Sequence, residues 1–502
     1  MYMIGIDIGT THCKAGLFER NGRAVRLTGR PTVSARDREG LSSFDPIRMW
    51  EAVAEMLGEL AEGLPRGSVG AIGVASMAES GLLVDGRTGE IRSEFIPWYD
   101  QRTRSQAERI GREIDEAERF RTRGLRVSYK HGLPKLLWLQ EHRPAALNGS
   151  VWLNSADYIA FRLTGKMSTH YTLAARTYAY DLRGMAWDSE LTKHFGLMPS
   201  LFPQVQEHGR PMGFLSREIA ALTGIAAGVP VAIAGHDHLC AALAVGATEP
   251  GEVYNSMGTA ETLIGVFGEF EVGDREYRSG LSYGRHVVDG RSFWMGGIPS
   301  SGGSVEWLRA ALNDPRLSYG QIADMLERLD EAPTGLLYYP YLSGSGSPRP
   351  NPQIRGAIIG FGAEHTRETL LKAALEGTAY EFESIRRAGE RASGAAIERV
   401  TTVGGGAKNR CWIRIKADVT GCGFLLPRNQ EATLLGAAML AGIAGGLYDG
   451  ADDAIRSVRA AADAAERIDP DASRHAEYGR LYETGYLYFR DRLHDYFSRN
   501  TT

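Results

Sequence analysis

Apolar residues in this chain fall into two alternating patterns. Short runs at Ile4-Gly-Ile-Asp-Ile8, Ala71-Ile-Gly-Val-Ala75, Val231-Ala-Ile-Ala234 and Val400-Thr-Thr-Val403 have the length and composition of largely buried strands. Between them, Arg48 to Leu60, Pro134 to Glu141 and Arg367 to Arg391 read as helices. In the last of these, Leu370, Leu371, Ala374, Leu375 and Ala379 recur near the helical period. Thr366 is the predicted cap, with Thr369 rather than Glu at the capping-box position. Leu434 to Leu447 is rich in Gly and Ala and too short to span a bilayer, so it reads as a buried helix. Asp449 to Thr502 reads as helical. Strands interleaved with helices predict an α/β chain.

The first and third quarters of the sequence echo each other. Ile4-Gly-Ile-Asp-Ile-Gly-Thr-Thr-His-Cys-Lys-Ala-Gly-Leu-Phe18 aligns without a gap on Val253-Tyr-Asn-Ser-Met-Gly-Thr-Ala-Glu-Thr-Leu-Ile-Gly-Val-Phe267. Gly9-Thr10 falls on Gly258-Thr259, Gly16 on Gly265 and Phe18 on Phe267. Each copy reads as a strand, a turn containing Gly-Thr and a second strand. A repeat spaced at about half the chain predicts two related domains facing each other; the alternative is two unrelated β-hairpins. The boundary is placed between Gly246 and Gly251, giving domains 1–246 and 247–502.

A length of 502 residues agrees with more than one core. The net charge of −4 gives no general attraction to nucleic acid or anionic membrane, so an anionic ligand must be held by local donors. Cys13, Cys240, Cys411 and Cys422 are scattered, with no C-x-x-C pair. Neither a zinc site nor a disulfide framework is predicted, and a reduced, cytoplasmic setting is the simplest reading. Met1 runs almost at once into a strand, without the basic and apolar regions of a secretory leader.

Three segments carry candidate chemistry. Asp7-Ile-Gly-Thr-Thr11 combines a carboxylate, a flexible turn and two hydroxyls, a surface suited to polyphosphate, with Asp7 able to hold Mg²⁺ through water. The same pattern also occurs in ordinary tight turns. Lys14 could reach a phosphate or lie on the solvated face of the hairpin. Gly404-Gly-Gly-Ala407 follows a strand and precedes a helix predicted from about Asn409, presenting N–H groups to a nucleotide; a packing turn is the alternative. No Walker loop occurs. Gly235-His-Asp-His238 ends the strand Val231 to Ala234, where an Asp faces the ligand crevice of an open α/β sheet. Asp237 could there accept a proton from a substrate hydroxyl. A two-His metal site has no third ligand in the sequence.

Taken in order, these segments resemble the FGGY carbohydrate kinases, a branch of the superfamily that includes actin, hexokinase and the heat-shock chaperone ATPases. Coverage is nearly the whole chain. Asp7 to Lys14 is similar to the family's phosphate hairpin, and Trp98-Tyr-Asp-Gln-Arg-Thr103 to its Trp-x-Asp-x-Arg segment. Pro134 to Leu139 and Asp157 to Gly165 resemble its helical blocks. Ala373 to Gly377, Gly404 to Ala407, Ala417 to Gly421 and Glu431 to Ala438 occur in family order. The resemblance implies two actin-like (ribonuclease H-like) domains with an interdomain catalytic cleft, and ATP and Mg²⁺ as cofactors. By position, it implies Asp237 as base and Asp7 as the magnesium-side carboxylate. Thr10, Thr11, Lys14, Gly258, Thr259, Gly302, Gly405 and Asn409 fall at nucleotide contacts. Glu79, Trp98, Asp237 and His238 fall at the sugar.

The chain departs from the family where the sugar pocket should lie. Glycerol kinases carry Arg-Glu where this chain has Ala78-Glu79, and xylulose kinases carry Gln-Met-His where it has Glu79-Ser80-Gly81. Phe361 replaces an aliphatic residue in one signature, and Lys130 breaks the start of another. The expected activity is phosphorylation of a terminal hydroxyl by ATP. A ketose such as xylulose ranks first, gluconate or another sugar acid second, glycerol or a four-carbon polyol third. A carboxylate at Glu79 should repel a sugar acid unless the acid's own carboxylate lies near Arg102 or Lys130. The rival classes are a heat-shock-type ATPase and a catalytically inactive sensor. The expected partners are a small sugar and ATP, with neither nucleic acid nor membrane; a homodimer is carried as a candidate state.

Overall fold

The computed structural model describes residues 1–312, 316–329, 331–461 and 465–500. Strands β1 (Tyr2–Ile8), β2 (His12–Glu19), β3 (Ala24–Pro31), β4 (Val69–Ser76), β5 (Gly213–Phe214) and β6 (Pro230–His236) form one sheet in the order β5-β6-β4-β1-β2-β3. A second sheet contains β7 (Glu252–Met257), β8 (Glu261–Phe267), β9 (Ser282–Arg285), β10 (Ser292–Ile298), β11 (Arg399–Val403), β12 (Gly423–Leu426) and β13 (Glu466–Ile468), in the order β9-β10-β8-β7-β11-β12-β13. The two sheets share one plan. In the first, β1 pairs antiparallel with β2 and parallel with β4, β4 parallel with β6, and β2 antiparallel with β3. In the second, β7, β8, β11, β12 and β10 repeat those pairings in the same roles.

The repeat differs from the ungapped alignment in one respect. In the first hairpin Ile8 lies across from Cys13, leaving four residues in the turn; in the second Met257 lies across from Glu261, leaving three. The returning strand is therefore offset by one residue, which in a strand exchanges the two faces. Lys14, across from Asp7, is matched by Thr262, across from Ser256, and not by Leu263.

The helices that matter for the site are α1 (Pro46–Ala61), α2 (Gly132–His142), α3 (Ser155–Thr164), α4 (Asp237–Ala244), α5 (Gly302–Ala311), α6 (Arg367–Ser393), α7 (Arg410–Thr420) and α8 (Ala432–Ala444). Helix α1 buries Trp50, Val53 and Leu57 against the first sheet's core, with Asp45 capping its first turn. Thr366 caps α6, with Thr369 closing the capping box as the sequence predicts. The tail expected to be wholly helical contains β13, which adds an edge to β12; three residues are too few to show strand alternation.

Helix α8 belongs to the chain's second half, yet it packs on β1 and β4 of the first sheet and against α4. Together α4 and α8 fill a core between the sheets, with Met3, Ala75, Tyr254, Ile264 and Val403. The close approach depends on glycine. A Cβ on Gly5 would stand 1.9 Å from the Leu434 carbonyl oxygen, and one on Gly73 2.0 Å from that of Ala437. Among the described residues, no helix is long and apolar enough to cross a membrane.

Candidate active site

Asp237 is the first residue of α4, where the chain leaves β6. Pairing with β4 steps from Ile233 opposite Val74 to Gly235 opposite Ala75, so Ala234 is an extra residue in the strand. Such a bulge bends the strand and re-aims the residues beyond it. Gly235 holds φ at 105°, and a Cβ there would meet Thr172 Oγ1 at 2.3 Å, so only glycine fits. Thr172 Oγ1 accepts from the His236 amide (3.1 Å) and fixes the end of the bend. The Asp237 side chain keeps 21% of its surface exposed. Its Oδ1 accepts from the His238 amide at 2.7 Å and lies 3.2 Å from His236 Nε2. Burial raises the carboxyl to about 7, with the Glu79 charge adding to the rise while the His238 amide and Arg176 oppose it. Burial also drives His236 and His238 below the usual imidazole range, so both rings are neutral near pH 7.

Asp7 stands near the end of β1, in electrostatic contact with Asp237. Burial, and next the Asp237 charge, hold its carboxyl well above the ordinary value; Lys14 pulls the other way. Its Oδ1 is sealed from solvent and accepts no hydrogen bond. An orphaned carboxylate oxygen beside a second carboxylate fits a hydrated divalent cation. Among the described residues, no three of His, Cys, Asp and Glu gather into a metal cage. In the adjoining turn, Thr10 Oγ1 accepts from Trp98 Nε1 (2.9 Å), while Thr11 is exposed. Lys14 meets neither of the expected surroundings alone: Nζ contacts both oxygens of Glu431 at 2.9 Å, tying β2 to the residue that precedes α8. The two side chains are 41% and 33% exposed, and the pair is worth about 0–1 kcal/mol.

Glu79 is buried, with φ of 66°, a strained backbone for a residue with a side chain. Arg176 grips it through Nε (2.9 Å) and Nη2, and His131 Nε2 lies 3.8 Å away. Burial raises the Glu79 carboxyl, but Arg176, His131, Lys130 and His236 outweigh it and bring it to about 2. His131 precedes α2 and stacks on Tyr178, which also has positive φ. Lys135, fully buried on α2, donates to the carbonyls of Lys130 and His131. Lys130 Nζ lies 5.1 Å from the Trp98 ring. Glu79 is thus an ionised carboxylate matched by cations, and the repulsion expected for a sugar acid is cancelled. Arg102 is not available to such an acid. Its guanidinium is committed to Asp100 (2.8 Å) and the Ser42 carbonyl, with both members of the ion pair 3% exposed.

On the second sheet, Gly258 and Thr259 form an exposed turn, and the loop before α5 docks on it. The Gly302 amide donates to the Gly258 carbonyl (3.1 Å), and the Ser301 and Gly303 amides to that of Thr259 (3.0 and 2.9 Å). Gly405 opens a 3₁₀ turn with nothing near its missing Cβ. Asn409 caps α7 by accepting from the Trp412 amide at 3.1 Å. Beside them lies a cavity of about 520 Å³ lined by Ala407, Lys408, Leu426, Pro427 and Gln430.

The structure therefore joins Asp7, Thr10, Trp98, Glu79, Asp237 and His238 on one side, and Gly258, Thr259 and Gly302 on the other. Sequence reasoning missed Arg176, His131 and Lys135. Arg176 had a signal: it is the lone charge in Leu173-Ala-Ala-Arg-Thr-Tyr-Ala-Tyr180, and a cation in such a run needs a buried partner.

Two sheets of one plan, joined by a helix pair and each carrying a Gly-Thr hairpin turn, define a two-domain protein of the actin-like class. The chain belongs to the FGGY family of carbohydrate kinases: the model of the family's N-terminal domain matches residues 2–244, and that of its C-terminal domain residues 253–445. It is similar to the xylulose kinase of Bacillus subtilis, 28% identical over 456 residues, or 90% of each chain. A glycerol kinase of a Geobacter species is 29% identical over 463 residues, covering 89% of this chain and 91% of that one. The crystal structure of xylulose kinase from Rhodospirillum rubrum superposes with a TM-score of 0.89 at 29% identity, covering 99% of this chain and 100% of the other. The protein is accordingly an ATP-dependent carbohydrate kinase.

Proposed function

We propose that the chain transfers the γ-phosphoryl group of ATP to a terminal hydroxyl of a small ketose such as xylulose, with Asp237 as the base. The observation that carries this reading is Asp237 itself: a partly exposed carboxylate with a raised proton affinity, at a helix start aimed by a bulge. Phosphoryl transfer passes through a loose transition state, so positioning and electrostatics supply most of the acceleration. Thr10, Thr11, Lys14, Gly258, Thr259 and Gly302 orient the phosphates, and Gly405 and Asn409 lie toward the nucleoside, beside the cavity. Asp7 would hold Mg²⁺, whose charge would offset that of the phosphate oxygens when bound. Glu79, Trp98 and His238 face the sugar, and Asp237 takes the proton of the attacking hydroxyl.

A sugar acid such as gluconate is the second reading. It is favoured by Lys130 and Arg176, two cations set against the single charge of Glu79. The test is ADP release across a panel of ketoses, aldonates and polyols, with Asp237→Asn as control. Turnover with one sugar, lowered by about 10²–10⁴ in the variant, supports the reading. Wild-type turnover in the variant removes Asp237 as the base, and ADP release indifferent to every sugar points to the chaperone-type ATPase.

A further inference from the structure

Glu261 is the first residue of β8, directly after the Gly258-Thr259-Ala260 turn. Its carboxylate is fully buried and receives three hydrogen bonds, with a further ion-pair contact from Lys416. Oε1 accepts from Asn255 Nδ2 at 2.9 Å and lies 2.9 Å from Lys416 Nζ. Oε2 accepts from Ser301 Oγ at 2.6 Å and Lys416 Nζ at 3.1 Å. Both Glu261 and Lys416 are 0% exposed. Asn255 Oδ1 accepts in turn from Thr402 Oγ1 at 3.2 Å.

The donors come from separate elements. Ser301 precedes α5 and carries the amide that docks on Thr259. Lys416 lies on α7, the helix capped by Asn409, with Nζ 4.6 Å from the centre of the Phe382 ring. Thr402 lies near the end of β11, two residues before Gly404. One carboxylate therefore ties together the turn, the loop and the helix that carry Gly258, Thr259, Gly302 and Asn409, and through Asn255 it reaches β11, which leads to Gly405. A buried ion pair gives little stability over an apolar replacement, so stability alone accounts poorly for it. A satisfied buried network does fix geometry. The first hairpin has no such knot: the residue opposite Ile8 there is the buried thiol Cys13.

We propose that Glu261, neutralised by Lys416, is a positioning residue that sets the nucleotide-binding face of the second domain while touching no substrate. The inference rests on the assignment of the chain as a kinase.

The test is calorimetric titration of the full-length protein with ADP, alongside KM for the sugar identified in the panel. Glu261→Gln leaves Lys416 an uncompensated buried charge. It is therefore accompanied by Ser301→Ala, which keeps the ion pair, and by Glu261→Gln combined with Lys416→Met. In variants that melt cooperatively, ADP affinity should fall about fivefold for Ser301→Ala and about tenfold or more for the double variant, with sugar KM changing less than about twofold. Wild-type ADP affinity in these variants overturns the inference alone, as does an equal loss toward ADP and sugar. A wild-type protein that binds no ADP overturns both the inference and the kinase reading beneath it.

Discussion

At the residue scale, Asp237 makes stability depend on pH in a direction opposite to most carboxylates. Its folded-state pKa lies near 7, against an ordinary 3.8. Between those values the folded protein keeps a proton that the unfolded chain has released. The group's contribution is full below about 4 and is lost as pH rises through 7. Asp237→Asn has no such proton to lose. Its stability relative to wild type should climb between about pH 4 and 7 and then level off, by about 1–3 kcal/mol once cleft water is allowed for. Thermal melts of both proteins across that range check this; a constant difference would refute it. Glu79 behaves in the usual way, losing its contribution only as pH falls from 4.5 toward about 2. Its partner makes Glu79→Ala a poor probe of the sugar, because Arg176 would be stranded. Glu79→Gln keeps the shape, and its KM for the sugar should rise by about tenfold or more while KM for ATP holds. Equal losses for both substrates would place Glu79 in the scaffold instead.

At the element scale, the strands β1, β4, β6 and β11 were legible because each is a short run rich in apolar and β-branched residues, and α6 because of its period and cap. The blocks shared with the family hid structural roles: Asp157 closes the capping box of α3, accepting from the Asn154 amide (3.0 Å) and side chain (2.7 Å). The bulge in β6 was not legible, since Ala234-Gly235 looks like an ordinary strand end until Thr172 and His170 pack beside it. Nor was the turn shortened by one residue, because both turns read Gly-Thr. Positive φ at Glu79 arises from tertiary packing and leaves no mark in the sequence. The contact of α8 with the first sheet gives a stability prediction. Gly73→Ala would drive a methyl group into the Ala437 carbonyl and should cost about 1–3 kcal/mol. Chemical denaturation measures it, and an unchanged midpoint would show that α8 can withdraw without cost.

At the scale of the whole molecule, the two Gly-Thr turns come from opposite sheets, and Lys14–Glu431 spans the halves of the chain. Closing such a cleft assembles the reacting groups and excludes water. Solution scattering should show compaction when sugar and an unreactive ATP analogue are both saturating; an unchanged radius of gyration would speak against closure. The offset of one residue between the hairpins has a further consequence. If the halves descend from a duplicated segment, losing one residue from the second turn freed that copy for different work. The slip turned Glu261 inward, to the place Cys13 holds in its twin, and let a carboxylate gather three elements where the other copy packs a thiol. A symmetrised chain made by grafting residues 4–18 over 253–267 would undo this at a stroke. It would restore the longer turn, return a thiol to the core and leave Lys416 without a counter-charge. The pseudo-symmetry of the molecule is thus real in its backbone and broken in its chemistry, and one missing turn residue marks the division.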